Sequence, residues 1–145
     1  MIIINELQSQ DLGDIGEFIA YCYLKDCGYR IVCANFKTPI GRNRRGVTVT
    51  AEIDIIAYDK NHLCFIEVKT RRSENFTSPL TAVDLKKQRQ IIRAARIYRR
   101  LMGTEETPYR YDVVSIVLEP SLKIELIKDF FSEQKFKKRR WLDLS

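Results

Sequence analysis

Two β-rich runs, residues 51–58 and 63–71, flank the turn-forming tetrad Asp59-Lys60-Asn61-His62 and constrain this chain more than any other feature. Strand side chains alternate between faces. Glu52, Asp54, Ile56 and Tyr58 therefore share one face and Ile53, Ile55 and Ala57 the other, while Leu63, Phe65, Glu67, Lys69 and Arg71 share a face of the second run. With Lys60-Asn61 at the tip of a two-residue turn, Tyr58 pairs with Leu63, Ile56 with Phe65, Asp54 with Glu67 and Glu52 with Lys69. Ile53, Ile55, Ile66 and Val68 on one side and Ile56 and Phe65 on the other predict a sheet covered on both sides.

Like charges directly opposite in an antiparallel pair, with Cβ atoms about 5 Å apart, destabilise it. A shared proton or a divalent cation would reconcile Asp54 with Glu67. Hard oxygen ligands with no histidine or thiolate beside them favour Mg2+ or Mn2+ over zinc. Lys69, on the face of Glu67, reaches a water held there, an arrangement suited to phosphodiester hydrolysis. The plainer reading is an ion-pair network of Glu52, Asp54, Glu67 and Lys69 on a solvated face. The apolar neighbours on both sides argue against it, because clustered charge inside a covered sheet marks functional sites.

Elsewhere, Leu12, Ile15, Ile19 and Cys22 recur at helical spacing over residues 11–27, with Gly28 as the stop. Glu17 lines up with Gly13, Ala20 and Leu24 on a small, apolar stripe; it either faces the sheet or reaches past the helix edge to water. A strand over 29–36 leads into residues 37–50, an exposed basic loop or the tip of a long hairpin, carrying Arg42, Arg44 and Arg45. Thr81 and Asp84 form a capping-box signature for a second helix that runs to about Met102 and ends at Gly103. On it Gln88 shares a face with Ile91, Ala95 and Tyr98, while Lys86, Arg89, Arg93, Arg96 and Arg100 lie opposite and directed away from the sheet, either a solvated face or a surface for phosphate contacts. Residues 109–118 and 122–127 read as two more strands. The expected fold is α/β, a mixed sheet flanked by helices in the order α-β-β-β-α-β-β, with a right-handed crossover through the second helix. Residues 1–128 form the domain and 129–145 a basic, aromatic extension, which either packs an end helix or stacks on unpaired bases.

At 145 residues the chain suits one domain with a real core. A formal charge of +6 and a pI near 9.2 favour polyanionic partners. Cys22, Cys27, Cys33 and Cys64 lack C-x-x-C spacing and His62 is the sole histidine, which excludes a zinc cluster. With no signal peptide and no apolar run of the ~18 residues needed to span a bilayer, the expectation is a cytoplasmic protein with reduced thiols and no membrane contact.

The pairing of Glu52-Ile53-Asp54 with Glu67-Val68-Lys69 resembles the PD-(D/E)XK nuclease superfamily, whose fold is restriction-endonuclease-like. More closely, the chain resembles the YraN-type family of predicted bacterial endonucleases, related to Holliday-junction resolvases. The match runs from Gly13-Asp14-Ile15-Gly16-Glu17 through Gly28-Tyr29, Asn35 and Phe65-Ile66-Glu67-Val68-Lys69-Thr70-Arg71 to Lys86-Lys87-Gln88 and Tyr111-Asp112-Val113-Val114-Ser115. The superfamily's proline before the first aspartate is absent, and Ala51 stands where the closer family has glycine.

The resemblance implies metal binding by Asp54 and Glu67, a catalytic Lys69, and supporting roles for Glu17 and Gln88. A core glutamine bonded to backbone is the other reading of Gln88. Together these readings predict a Mg2+- or Mn2+-dependent DNA endonuclease acting on branched or single-stranded DNA, with Arg42, Arg44, Arg45, Arg71 and Lys87 contacting DNA. A homodimer fits cleavage of both strands. The alternative is a non-catalytic DNA-binding module that retains the fold.

Overall fold

A computed structural model describes residues 9–73, 83–134 and 136. Its elements are α1 (Ser9–Asp26), β1 (Arg30–Arg42), β2 (Thr48–Asp59), β3 (His62–Arg71), α2 (Leu85–Leu101), β4 (Tyr109–Val117) and β5 (Lys123–Phe131). The strands form one sheet in the order β1-β2-β3-β4-β5. Only β3 and β4, joined through α2, pair in parallel; the other neighbours are antiparallel. The architecture is the mixed α/β sheet with flanking helices that the sequence predicts, in the predicted order.

Each face of the sheet buries one helix. Ile91, Ala94, Ala95 and Tyr98 of α2 pack on Ile53, Ile56, Leu63, Phe65 and Val113. Ala20 and Leu24 of α1 pack on Ile55, Ala57, Cys64, Ile66, Val114 and Ile116. β3 needs apolar residues at both parities because it is covered on both sides, which is why its sequence runs almost continuously hydrophobic.

Several boundaries differ from the sequence reading. Residues 37–50 are the far end of a long β1–β2 hairpin, because the ladder continues to Arg42↔Thr48 despite Pro39 and Gly41. A register shift between Pro39 and Gly41 accommodates the proline, which has no N–H to give. The N-cap of α2 is Asp84, whose carboxylate accepts from Lys87 N at 2.8 Å. Thr81 lies outside the described residues. β5 runs past the expected boundary at 128 to Phe131, which is buried, and the following Glu133 accepts a 2.8 Å hydrogen bond from the Tyr111 hydroxyl.

At the turn end of the β2–β3 hairpin, Arg110 ties three elements together. Its guanidinium donates to Asp59 (2.6 Å), Asp112 (2.9 Å) and the Tyr29 hydroxyl (2.7 Å). Asp112, wholly buried, also accepts from Tyr29 OH and Asp129 N. A buried carboxylate is tolerated because each of these donors is in place.

Candidate functional site

The β2–β3 register is the expected one from Asp59↔His62 to Ile55↔Ile66, and there the ladder stops although both strands continue. Asp54 is the first residue past the last rung. Its Oδ2 accepts the Val68 N–H at 2.8 Å, so a side chain takes the donor that the continuing ladder would have used. The two strands part at this point, and the acidic residues meet in the fork.

The alternation expected for β2 breaks at the same place. Ala51 and Ile53 lie on the α2 side, but Ile55 and Ala57 lie on the α1 side and Ile56 returns to α2. Glu52 and Asp54 therefore do not share a face with Ile56 and Tyr58, as strict alternation would require. The cause lies in the paired strand. Asn35, between the partners of Ile55 and Ile53, is left-handed at φ 54°, and β1 and β2 change phase together without losing register. The shift turns Asp54 toward α1, where a cleft of about 410 Å³ is lined by Asp14, Glu17, Phe18, Tyr21, Asn35 and Asp54.

On that side Glu17, Glu52 and Asp54 each offer a carboxylate oxygen within 4.8 Å of the others. The Asn35 amide, oriented with its nitrogen toward the carboxylates, donates to Glu52 Oε1 at 2.8 Å and Glu17 Oε2 at 3.0 Å. Glu17 thus faces the sheet, from a helix seated unusually close: a Cβ on Gly16 would overlap the Thr70 side chain. Burial, followed by the charges of Asp54 and Glu52, pushes the Glu17 carboxyl up to about 7.

Glu67 approaches Asp54 from the other side. It is buried, and both Lys69 Nζ and Lys87 Nζ lie 3.7 Å from its Oε1. Burial first, and the Asp54 charge second, push Glu67 up to about 8 despite these lysines. Burial likewise raises Asp54, opposed by the Val68 N–H and by Lys87. Glu67 Oε2 is buried with no hydrogen-bond partner among the described residues.

The four carboxylates thus converge, although the tightest triad is Glu17, Glu52 and Asp54 rather than the Asp54–Glu67 pair singled out in the sequence. Gln88 is buried, its Nε2 donating to Val83 O at 2.9 Å while its Oε1 has no partner among the described residues. Lys87, expected to contact DNA, lies half-buried with its Nζ 3.7 Å from Glu67 Oε1. Arg71 ends β3, half-buried, and Arg42, Arg44 and Arg45 are exposed at the hairpin end. The sequence reading missed the role of Asn35; the available signal was an asparagine within a β-rich run, a residue type that tolerates the left-handed region.

A hard-oxygen cluster with an unsatisfied buried carboxylate oxygen and no histidine or thiolate among the groups named suits a divalent cation of the magnesium type. The fold and site together define a mixed α/β protein with an acidic centre where two strands fork. The chain belongs to the uncharacterised protein family UPF0102, whose model matches residues 16–116. A UPF0102 protein of Desulfosudis oleivorans is 44% identical over 124 residues, covering 86% of this chain and 92% of that one. One from Solibacter usitatus is 39% identical over 119 residues, covering 82% and 84%. The solved structure described as "Crystal structure of SSO0001" aligns with 90% of this chain and 57% of its own, at 22% identity and a TM-score of 0.45. None of these names states an activity. No described helix is long and apolar enough to cross a membrane.

Proposed function

We propose that this protein is a metal-dependent DNA endonuclease of the PD-(D/E)XK type, working in the cytoplasm on branched or single-stranded DNA. The observation that carries the reading is the fork at Asp54, where Glu17, Glu52 and Glu67 converge on one carboxylate with two lysines beside Glu67. Mutual repulsion and burial make such a cluster costly unless positive charge enters it.

Asp54 and Glu67 would hold Mg2+ or Mn2+, with Glu17 and Glu52 within reach, and the ion would supply Lewis acidity toward phosphate and water. Lys69 offers a cation to the scissile phosphate from beside Glu67. Glu17, turned to the centre from α1, accepts the proton of the attacking water. Lys87 fixes Glu67 from α2, and Asn35 fixes Glu17 and Glu52 from β1. The basic charge of the chain favours its polyanionic substrate.

Asp54→Asn is the informative variant, because its amide oxygen still accepts the Val68 N–H while the charge is lost. With Mg2+ the wild type should cut forked or single-stranded DNA, and Asp54→Asn, equally folded, should fall at least a hundredfold. Equal cleavage by both would remove the assignment.

A further inference from the structure

On the α2 side, the far end of the β1–β2 hairpin closes over α2 to form a second cleft, of about 190 Å³, between Gly41, Arg42 and Val49 on one wall and Lys86, Arg89 and Arg93 on the other. We propose that this cleft holds the phosphodiester backbone of DNA as the strand leaves the acidic centre. The proposal deepens the nuclease reading and rests on its assignment of DNA as substrate.

Four cations from segments more than forty residues apart converge here, and no carboxylate among the described residues lines the cleft. Several other basic residues sit beside carboxylates instead: Lys69 and Lys87 at Glu67, Arg96 at Glu133, Arg110 at Asp59 and Asp112, Lys128 at Asp59. Arg42, Lys86 and Arg93 have no such partner among the described residues, and Arg89 lies over the Phe136 ring at 5.3 Å. Like charges gathered in a shared concavity repel one another, and a polyanion converts that repulsion into attraction by displacing its own counterions.

The helix also sets the direction of the track. Lys87, next to Lys86, touches Glu67, so the Lys86 end of the cleft adjoins the acidic centre. From Lys86 to Arg93 the axis advances about 10 Å at ~1.5 Å per residue. At ~3.4 Å of duplex axis per nucleotide of one strand, that spans about three steps and so about four phosphates, one for each of the four cations. Arg42 faces this line from the hairpin wall, so the backbone is gripped from two sides. The sequence pattern alone directs the basic face of α2 away from the sheet; the folded-over hairpin makes it one wall of a cleft.

The test is the salt dependence of binding to a fluorescent 30-nucleotide forked DNA, read by anisotropy in EDTA, where hydrolysis is off. A quadruple variant, Arg42→Gln, Lys86→Gln, Arg89→Gln and Arg93→Gln, should flatten the slope of log K against log salt by about 3 to 4, at ~0.9 per phosphate contact. Each single variant should remove about 0.9, which keeps the proposal testable if the quadruple variant does not fold. A control that removes three cations elsewhere, Lys25→Gln, Arg30→Gln and Lys60→Asn, should leave the slope unchanged.

An unaltered slope in the cleft variants, a control that flattens it as much, or a wild type that does not bind the DNA would each overturn the proposal. A wild type with the steep slope but no Mg2+-dependent cleavage keeps the cleft and refutes the nuclease reading alone. Cleft variants that bind and cut like wild type do the reverse.

Discussion

Alanine at Gly16 would bring a Cβ to 1.7 Å from Thr70 Oγ1 and 2.8 Å from Thr70 Cβ. Rotating the threonine clears its oxygen but not its Cβ, which is fixed to the β3 backbone, so α1 itself must lift away. Forced overpacking of this kind costs about 1–3 kcal/mol. Against it stands the better helix propensity of alanine, about 1 kcal/mol. Gly13, three residues earlier on α1, has nothing within 4 Å of its would-be Cβ and collects the propensity gain alone. The two identical substitutions should therefore differ by the overpacking cost. At about 3–4 °C per kcal/mol for a chain of this size, that is a Tm difference of roughly 3–12 °C. Differential scanning fluorimetry of Gly13→Ala, Gly16→Ala and the double variant Gly16→Ala/Thr70→Gly measures it. Removing the Thr70 side chain should recover part of the loss, as expected for residues in direct contact. Because Glu17 follows Gly16, cleavage should fall in Gly16→Ala and stay near wild type in Gly13→Ala. Equal Tm shifts for the two alanine variants would refute the close seating of α1 on β3 and the placement of Glu17 that depends on it.

Two further outcomes follow from the charges. In EDTA, folded Glu17 and Glu67 keep protons that the unfolded chain has released above its ordinary carboxylate range, so stability should fall as pH rises from about 4.5 toward 8. Glu67→Gln should flatten that fall and raise Tm at pH 8.5 but hardly at pH 5; a pH-independent shift in a melting series would refute the raised carboxyl. Arg110→Met strands the buried Asp112 with only Tyr29 OH and Asp129 N as donors and should cost about 3–5 kcal/mol in urea denaturation, whereas a loss under ~1 kcal/mol would show the network to be unimportant.

Local rules acting over short distances fixed much of this protein in its sequence. The tetrad 59–62 set the hairpin register and the apolar parity of β3 demanded a cover on each face, whereas the stripe Leu12, Ile15, Ile19 and Cys22 marked a helix but not its buried side, which carries Ala20 and Leu24 while Cys22 is exposed. Asp54, Glu67 and Lys69 were legible as a group for the same reason, since turn geometry and alternation bring them to neighbouring places, while Glu17 joined them only through the family resemblance. Only tertiary structure decided where the β2–β3 ladder ends, that Asn35 turns the β1–β2 pair so that Asp54 joins Glu17 and Glu52, and that the hairpin arginine meets the basic face of α2. Each depends on contacts between segments distant in sequence, whose balance of strain, hydrogen bonding and repulsion no single run of residues carries.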